Sequence, residues 1–131
     1  MSGLADRQAE LVAALVAGGE VPEGFSTFGV LATRAALLRK RSGEVAAVWP
    51  LMSAAYGAAW RSTFSAWADG RPPQGSLRDG WDFARAAGPD LPALARQELA
   101  ERAARYAYDG ASPPRPRRLG LLRAVRSRLR V

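Results

Sequence analysis

Two carboxylates three residues apart, Asp79 and Asp82, are the nearest approach in this chain to a catalytic pair. On a helix that spacing puts both on one side, where they could share a metal ion or divide acid and base roles. Asp79 also falls in the first turn of a predicted helix, where a negative charge favours the helix dipole, and this is its simpler role. A run of cations, Arg39-Lys40-Arg41 joined by Arg34, can grip phosphates or stand as a solvated helix face. Lys40 is the sole lysine, and between two arginines it is not the desolvated amine that Schiff-base chemistry requires. Tyr56, Trp60, Phe64 and Trp67 recur at helical spacing. Such a stripe can stack bases, yet core packing demands the same spacing and is the expected role.

The missing residue types exclude more chemistry than the present ones suggest. The 131 residues include no cysteine and no histidine. That removes the zinc finger, the thiolate nucleophile, the Ser-His-Asp triad and the imidazole base. Gly18-Gly19 is followed by Glu20 and Pro22 rather than a Lys-Ser/Thr pair, so there is no phosphate-cradling loop. The chain is expected to be no enzyme and to need no cofactor or metal.

The elements that must position these residues are helices. A first helix is predicted over roughly 3–17, with Leu4, Leu11, Val12 and Leu15 on one side, ended by Gly18-Gly19. A second runs from Ser26 or Thr27 to Val48, with Phe28, Leu31, Ala35, Leu38, Val45 and Trp49 on one buried stripe and Arg34, Lys40, Arg41 and Glu44 on other faces. Gly43 allows a bend, and Pro50 closes the element. A third is predicted over 51–69, carrying the aromatic stripe, followed by the rigid loop 69–75. Ser76 is expected to cap a fourth that ends at Gly88-Pro89. Asp90 or Leu91 starts a fifth that continues towards Tyr106. No strand pattern appears. The fold class expected is all-α, a compact bundle of four to five helices over 1–110, with a Pro/Arg-rich tail over 111–131.

Charge separates along the same boundary. The net charge is +7, but residues 1–110 hold twelve bases and twelve acids, while 111–131 hold seven arginines and no acid. The positive field therefore belongs to the appendage rather than the body. Residues 118–130 can form a basic amphipathic helix, with Arg123, Arg126 and Arg130 on one face and Leu121, Leu122, Val125 and Leu129 on the other. Such a helix can bind nucleic acid, an anionic membrane or an acidic partner, or can remain a disordered solubilising end. The candidate contacts for a partner or nucleic acid are Arg34, Arg39, Lys40, Arg41, Arg115, Arg117, Arg118, Arg123, Arg126 and Arg130. No segment has the ~18–20 consecutive apolar residues of a membrane span, and the start lacks an export signal, so a cytoplasmic location is expected.

The middle of the chain resembles the HvfC/BufC-type N-terminal domain. Val48-Trp49-Pro50, Ala55-Tyr56-Gly57, Trp60 and Phe64 follow the family's order, as do Arg71-Pro72-Pro73, Ser76-Leu77, Gly80 and Phe83. Leu91-Pro92-Ala93-Leu94-Ala95-Arg96-Gln97-Glu98 is similar to its ending. The resemblance covers roughly 25–105. It implies a helical domain of a kind often labelled DNA-binding, whose better-understood members are non-catalytic partners of multinuclear iron oxidative enzymes that modify ribosomally made peptides. The family's second, strand-containing domain is replaced here by a proline break and arginines, so the enzyme-docking half of the role is what the resemblance implies. Trp49 stands where the family usually has phenylalanine, which adds an N–H that needs a partner. No functional residue of the family carries over, because the matched positions are caps, turns and core.

Overall fold

The computed structural model describes residues 27–118. The first helix expected, over 3–17, and most of the expected tail helix lie outside them. Five α-helices follow in order: α1 Thr27–Val48, α2 Pro50–Tyr56, α3 Trp60–Ala68, α4 Ser76–Ala87 and α5 Ala93–Arg105. Two strands of two residues each, β1 Tyr106–Ala107 and β2 Arg115–Pro116, close the described chain. The all-α class expected from the spacing is the fold observed, with this small ladder as its addition. Among the described residues no helix is long and apolar enough to cross a membrane.

Proline and glycine set the joints. α1 runs unbroken through Gly43 and stops at Trp49 (φ −120°, ψ 65°) because Pro50 disfavours helical backbone before it. The single helix expected over 51–69 is instead divided. Gly57 takes φ 57°, a left-handed conformation that a residue with a Cβ adopts at a cost. A 3₁₀ turn, Gly57–Ala59, then redirects the chain into α3. Ser76 is the first residue of α4 rather than its cap; Gly75 occupies that place at φ 94°, with no side-chain capping bond. Likewise Pro92, not Asp90 or Leu91, immediately precedes α5, while Leu91 is buried in the core.

The core gathers where α1, α3 and α4 meet and where α2 lies on α5. Val45, Trp49, Met52, Phe64 and Ala95 are fully enclosed. Trp60 stacks on Phe64 at 5.2 Å between ring centroids, and Phe83 meets Trp60 edge-on at the same distance. Trp67 and Tyr56 pack against this cluster from its margin. The aromatic stripe is therefore core, as its spacing demands. Burial of such rings is the main stabilising term, at about 25 cal/mol per Å² of apolar surface.

The α1 stripe departs from expectation. Its C-terminal half is buried through Val45, continuing into Trp49, but Ala35 and Leu31 are exposed and Phe28 is 83% exposed. Arg41, expected on a solvated face, is buried.

The chain past residue 110 does not leave the body at once. β2 pairs antiparallel with β1, Tyr106 opposite Pro116 and Ala107 opposite Arg115. Asp109 holds the turn by accepting the N–H groups of Ala111 (2.8 Å) and Ser112 (3.0 Å), a local Asx arrangement. Packing thus extends beyond the boundary placed at 110, because the prolines that forbid helix do not forbid an edge strand.

Candidate functional site

Three polar constellations organise the described residues, each built on a joint. The first sits at Trp49-Pro50, where α1 ends and α2 begins. No Ser, Thr, Asp or Asn precedes α2 to cap it, and Pro50 has no N–H of its own. The remaining first-turn donors find an acceptor from α5: Glu98 Oε2 accepts Leu51 N–H and Oε1 accepts Met52 N–H, both at 2.9 Å. Glu98 is 1% exposed. One turn further along α5, Arg102 Nη2 donates to Val48 O at 2.7 Å, with its guanidinium 5.4 Å from the Trp49 ring centroid. An anion thus meets the positive end of α2 and a cation the negative end of α1, the pairing that helix dipoles favour.

The second constellation joins α1, α4 and the loop between α3 and α4. Arg41 Nε donates to Asp79 Oδ2 at 3.1 Å, and its Nη1 donates to Arg71 O at 2.5 Å. Asp79 Oδ1 accepts Gln74 N–H at 3.1 Å. Arg41 and Asp79 side chains are 10% and 5% exposed, so each satisfies the other and the loop. Asp79 is therefore one arm of a buried brace; Asp82 accepts instead from the Tyr108 hydroxyl. The two carboxylates face different partners rather than a shared ligand, and among the described residues no group of three acids could hold a metal ion. Arg41→Ala would leave Asp79 buried and unpaired, and we expect it to cost about 3 kcal/mol, read as a lowered urea midpoint with an unchanged slope.

The third is a clasp on the hairpin. Arg78 Nε donates to the Tyr108 hydroxyl at 3.1 Å, Arg85 Nη2 donates to Tyr108 O at 2.6 Å, and the Arg85 guanidinium lies 4.6 Å from the Tyr108 ring centroid. Arg117 Nε reaches back to Ala103 O at 2.8 Å and Tyr106 O at 3.0 Å, capping the end of α5. Burial, and then the hydrogen bond to Asp82, raise the Tyr108 phenol above its ordinary value of 10.0. Burial and the charge of Asp90 raise Tyr56 in the same direction. The backbone N–H groups of Ser112 and Ala111 lower Asp109. A raised phenol contributes stability fully present below its ordinary value and lost as pH rises through the folded one. Tyr108→Phe should cost about 1–2 kcal/mol at neutral pH and abolish one late-ionising step in an alkaline absorbance titration.

The remaining candidate cations are spread. Arg34 is half-buried, Arg39 and Lys40 are exposed on α1, and Arg115 and Arg118 are exposed on the hairpin side. Arg123, Arg126 and Arg130 lie outside the described residues. Arg39 and Arg61 border an open groove of about 700 Å³ between α1 and the Gly57–Ser65 stretch, floored by Leu38, Ala46, Trp60 and Ser65. The Ser65 hydroxyl is shielded from solvent there and has no hydrogen-bond partner. Sequence reasoning missed the clamp of Glu98 and Arg102 and the role of Gly80. An ideal Cβ on Gly80 would lie 2.3 Å from the Trp49 indole, whose Nε1 donates to Leu77 O at 3.1 Å. A signal for the clamp was present: a helix opening on Pro50 with no capping residue must borrow an acceptor from elsewhere.

These observations define a small helical domain whose buried ionisable groups brace helix ends and loops. The chain belongs to the SCO6045-like, C-terminal domain family, whose model matches residues 5–89. It is 36% identical, over a 132-residue alignment, to a UPF0276 protein of Streptomyces avermitilis. That alignment takes in 98% of this chain and 26% of the relative, so the chain spans about a quarter of that protein's length. No solved structure matches it.

Proposed function

We propose that this domain is a non-catalytic adaptor that docks on a larger enzyme, the partner being a multinuclear iron oxidative enzyme acting on ribosomally made peptides. One observation carries the reading: the Streptomyces avermitilis relative includes the matching segment as about a quarter of a longer chain. The family is itself described as a C-terminal domain. A module joined to a larger polypeptide in a relative is suited to associate with that kind of polypeptide. The identity of the partner rests on the resemblance to the HvfC/BufC-type domain. The commitment of Arg41, Asp79 and Glu98 to the chain's own backbone agrees with a scaffold role.

The nucleic-acid reading keeps Arg39, Lys40, Arg115 and Arg118 as exposed contacts, but Arg41 and Arg117 spend their donors on the chain's own acceptors. Co-elution of the tagged chain with the iron oxidative enzyme of its own host, after nuclease treatment, tests the adaptor. A complex that survives size exclusion is expected, and separate elution of the two proteins overturns the assignment. Binding of duplex DNA that weakens steeply with salt and vanishes on deleting 111–131 would favour the alternative, at a slope of ~0.9 per phosphate contact. Capture by anionic but not neutral vesicles would favour a membrane surface.

A further inference from the structure

Glycine is among the poorest residues for a helix interior, yet Gly43 stands exposed within α1. Packing inside the domain does not require it. A Cβ on Gly43 would meet nothing within 4 Å, whereas one on Gly80 would strike the Trp49 indole. The space beside Gly43 is the open groove between α1 and the Gly57–Ser65 stretch. Ala35, Ser42, Gly43 and Ala46 line it from α1, and Gly57 and Ala58 line it as well, so a second backbone can approach closely. The same face of α1 continues through Leu31 and Phe28, which are 54% and 83% exposed. From Phe28 to Ala46 this track runs about 27 Å, the length of a helix of about 18 residues.

We propose that this groove seats an amphipathic helix of a partner protein, apolar along one seam and acidic on both flanks. The proposal rests on the adaptor reading for the existence of a partner and adds the surface and the chemistry of the contact. Charge selects the occupant. Arg39 borders the groove from α1 and Arg61 from α3, both exposed, and neither guanidinium has a hydrogen bond or ion pair among the described residues. No acid lines the groove. Arg41, by contrast, is committed to Asp79 and the Arg71 carbonyl. A helix is about 10–12 Å across, so glutamates on its two sides each meet one guanidinium while its apolar seam covers Leu38, Ala46 and Trp60. The Ser65 hydroxyl, shielded on the floor without a partner, gains one from a polar side chain of the seated helix. A nucleic acid would also meet the two guanidinium groups, but its phosphates offer nothing to the apolar floor between them.

The probe is a synthetic amphipathic peptide of about 18 residues, with leucine along one seam and glutamate on both flanks. Its control carries lysine at the glutamate positions. Titrated into the isotope-labelled full chain, the glutamate peptide should give saturable amide shifts concentrated at Gly43, Ala58, Ser62 and Ser65, and the lysine peptide none. Gly43→Leu fills the groove from its floor and should weaken binding at least about tenfold. Its thermal midpoint should hold or rise, because leucine is the better helix former and the new side chain meets open space. Arg39→Glu combined with Arg61→Glu should weaken binding about tenfold as well. Absence of shifts at the groove, equal binding of the lysine peptide, or undiminished binding to Gly43→Leu would each overturn the proposal. So would self-association of the chain that Gly43→Leu abolishes, which assigns the groove to a second copy. Co-elution with the iron oxidative enzyme that Gly43→Leu leaves unchanged overturns the groove and not the adaptor. Peptide binding at the groove without that co-elution supports the groove and removes the named enzyme.

Discussion

Replacing Gly80 by alanine should destabilise the domain by about 3 kcal/mol or more, the cost of forcing a methyl into a filled core. In an unobstructed helix interior the same change stabilises by roughly 1 kcal/mol, because glycine has the poorer helix propensity. The sign reverses here because the new Cβ would meet the Trp49 indole at 2.3 Å at two of its atoms. The indole cannot swing away: Trp49 is fully buried, its Nε1 is bonded to Leu77 O, and the Trp81 ring lies edge-on at 6.0 Å. Trp49→Phe shortens the obstructing ring and should recover part of the loss. Chemical denaturation of the two single variants and the double variant would show this as costs that fail to add. Additive costs would remove the steric account.

Glu98→Ala should cost about 4 kcal/mol and lower the thermal midpoint accordingly. Truncation strips two hydrogen bonds to a carboxylate from the start of α2, leaves the part-buried Leu51 and buried Met52 N–H groups without acceptors, and opens a cavity. Charge contributes alongside geometry, since the carboxylate faces the positive end of α2. Glu98→Gln offers one carbonyl oxygen where two acceptors are needed, so it should fall between wild type and alanine. Hydrogen exchange gives the local reading: protection of Leu51 and Met52 should drop by more than protection of Phe64. Equal losses at all three would mean that the domain unfolds as one unit and that Glu98 is no local cap.

Much of the fold was legible in the chain because it depended on local rules. The end of α1 and the length of α4 follow from Pro50 and from Gly88-Pro89, and the aromatic stripe is core for the reason its spacing gives. The errors share a cause. The helix expected over 51–69 spans Gly57, yet Gly57 takes a left-handed conformation and divides the element at 57–59. Arg41 reads as one cation of a surface run, yet it is buried because Asp79 and the carbonyl of Arg71 receive it. The prolines of 113–116 correctly forbid helix but do not reveal that Tyr106 and Ala107 await a strand.

The sequence by itself determined the helical class, the joints at Pro50 and Gly88, the absence of cysteine and histidine chemistry, and the concentration of charge after residue 110. Each is a property of composition or of neighbours within a turn or two, where sterics and periodicity act without the rest of the chain. Only the tertiary structure decided which polar groups are enclosed. Glu98 meets Leu51 and Met52 across 47 and 46 residues, and Arg41 meets Asp79 across 38. A carboxylate in water and a carboxylate capping a buried helix end have the same letter. What separates them is which distant backbone donors the packed helices bring within reach, and how much water they exclude.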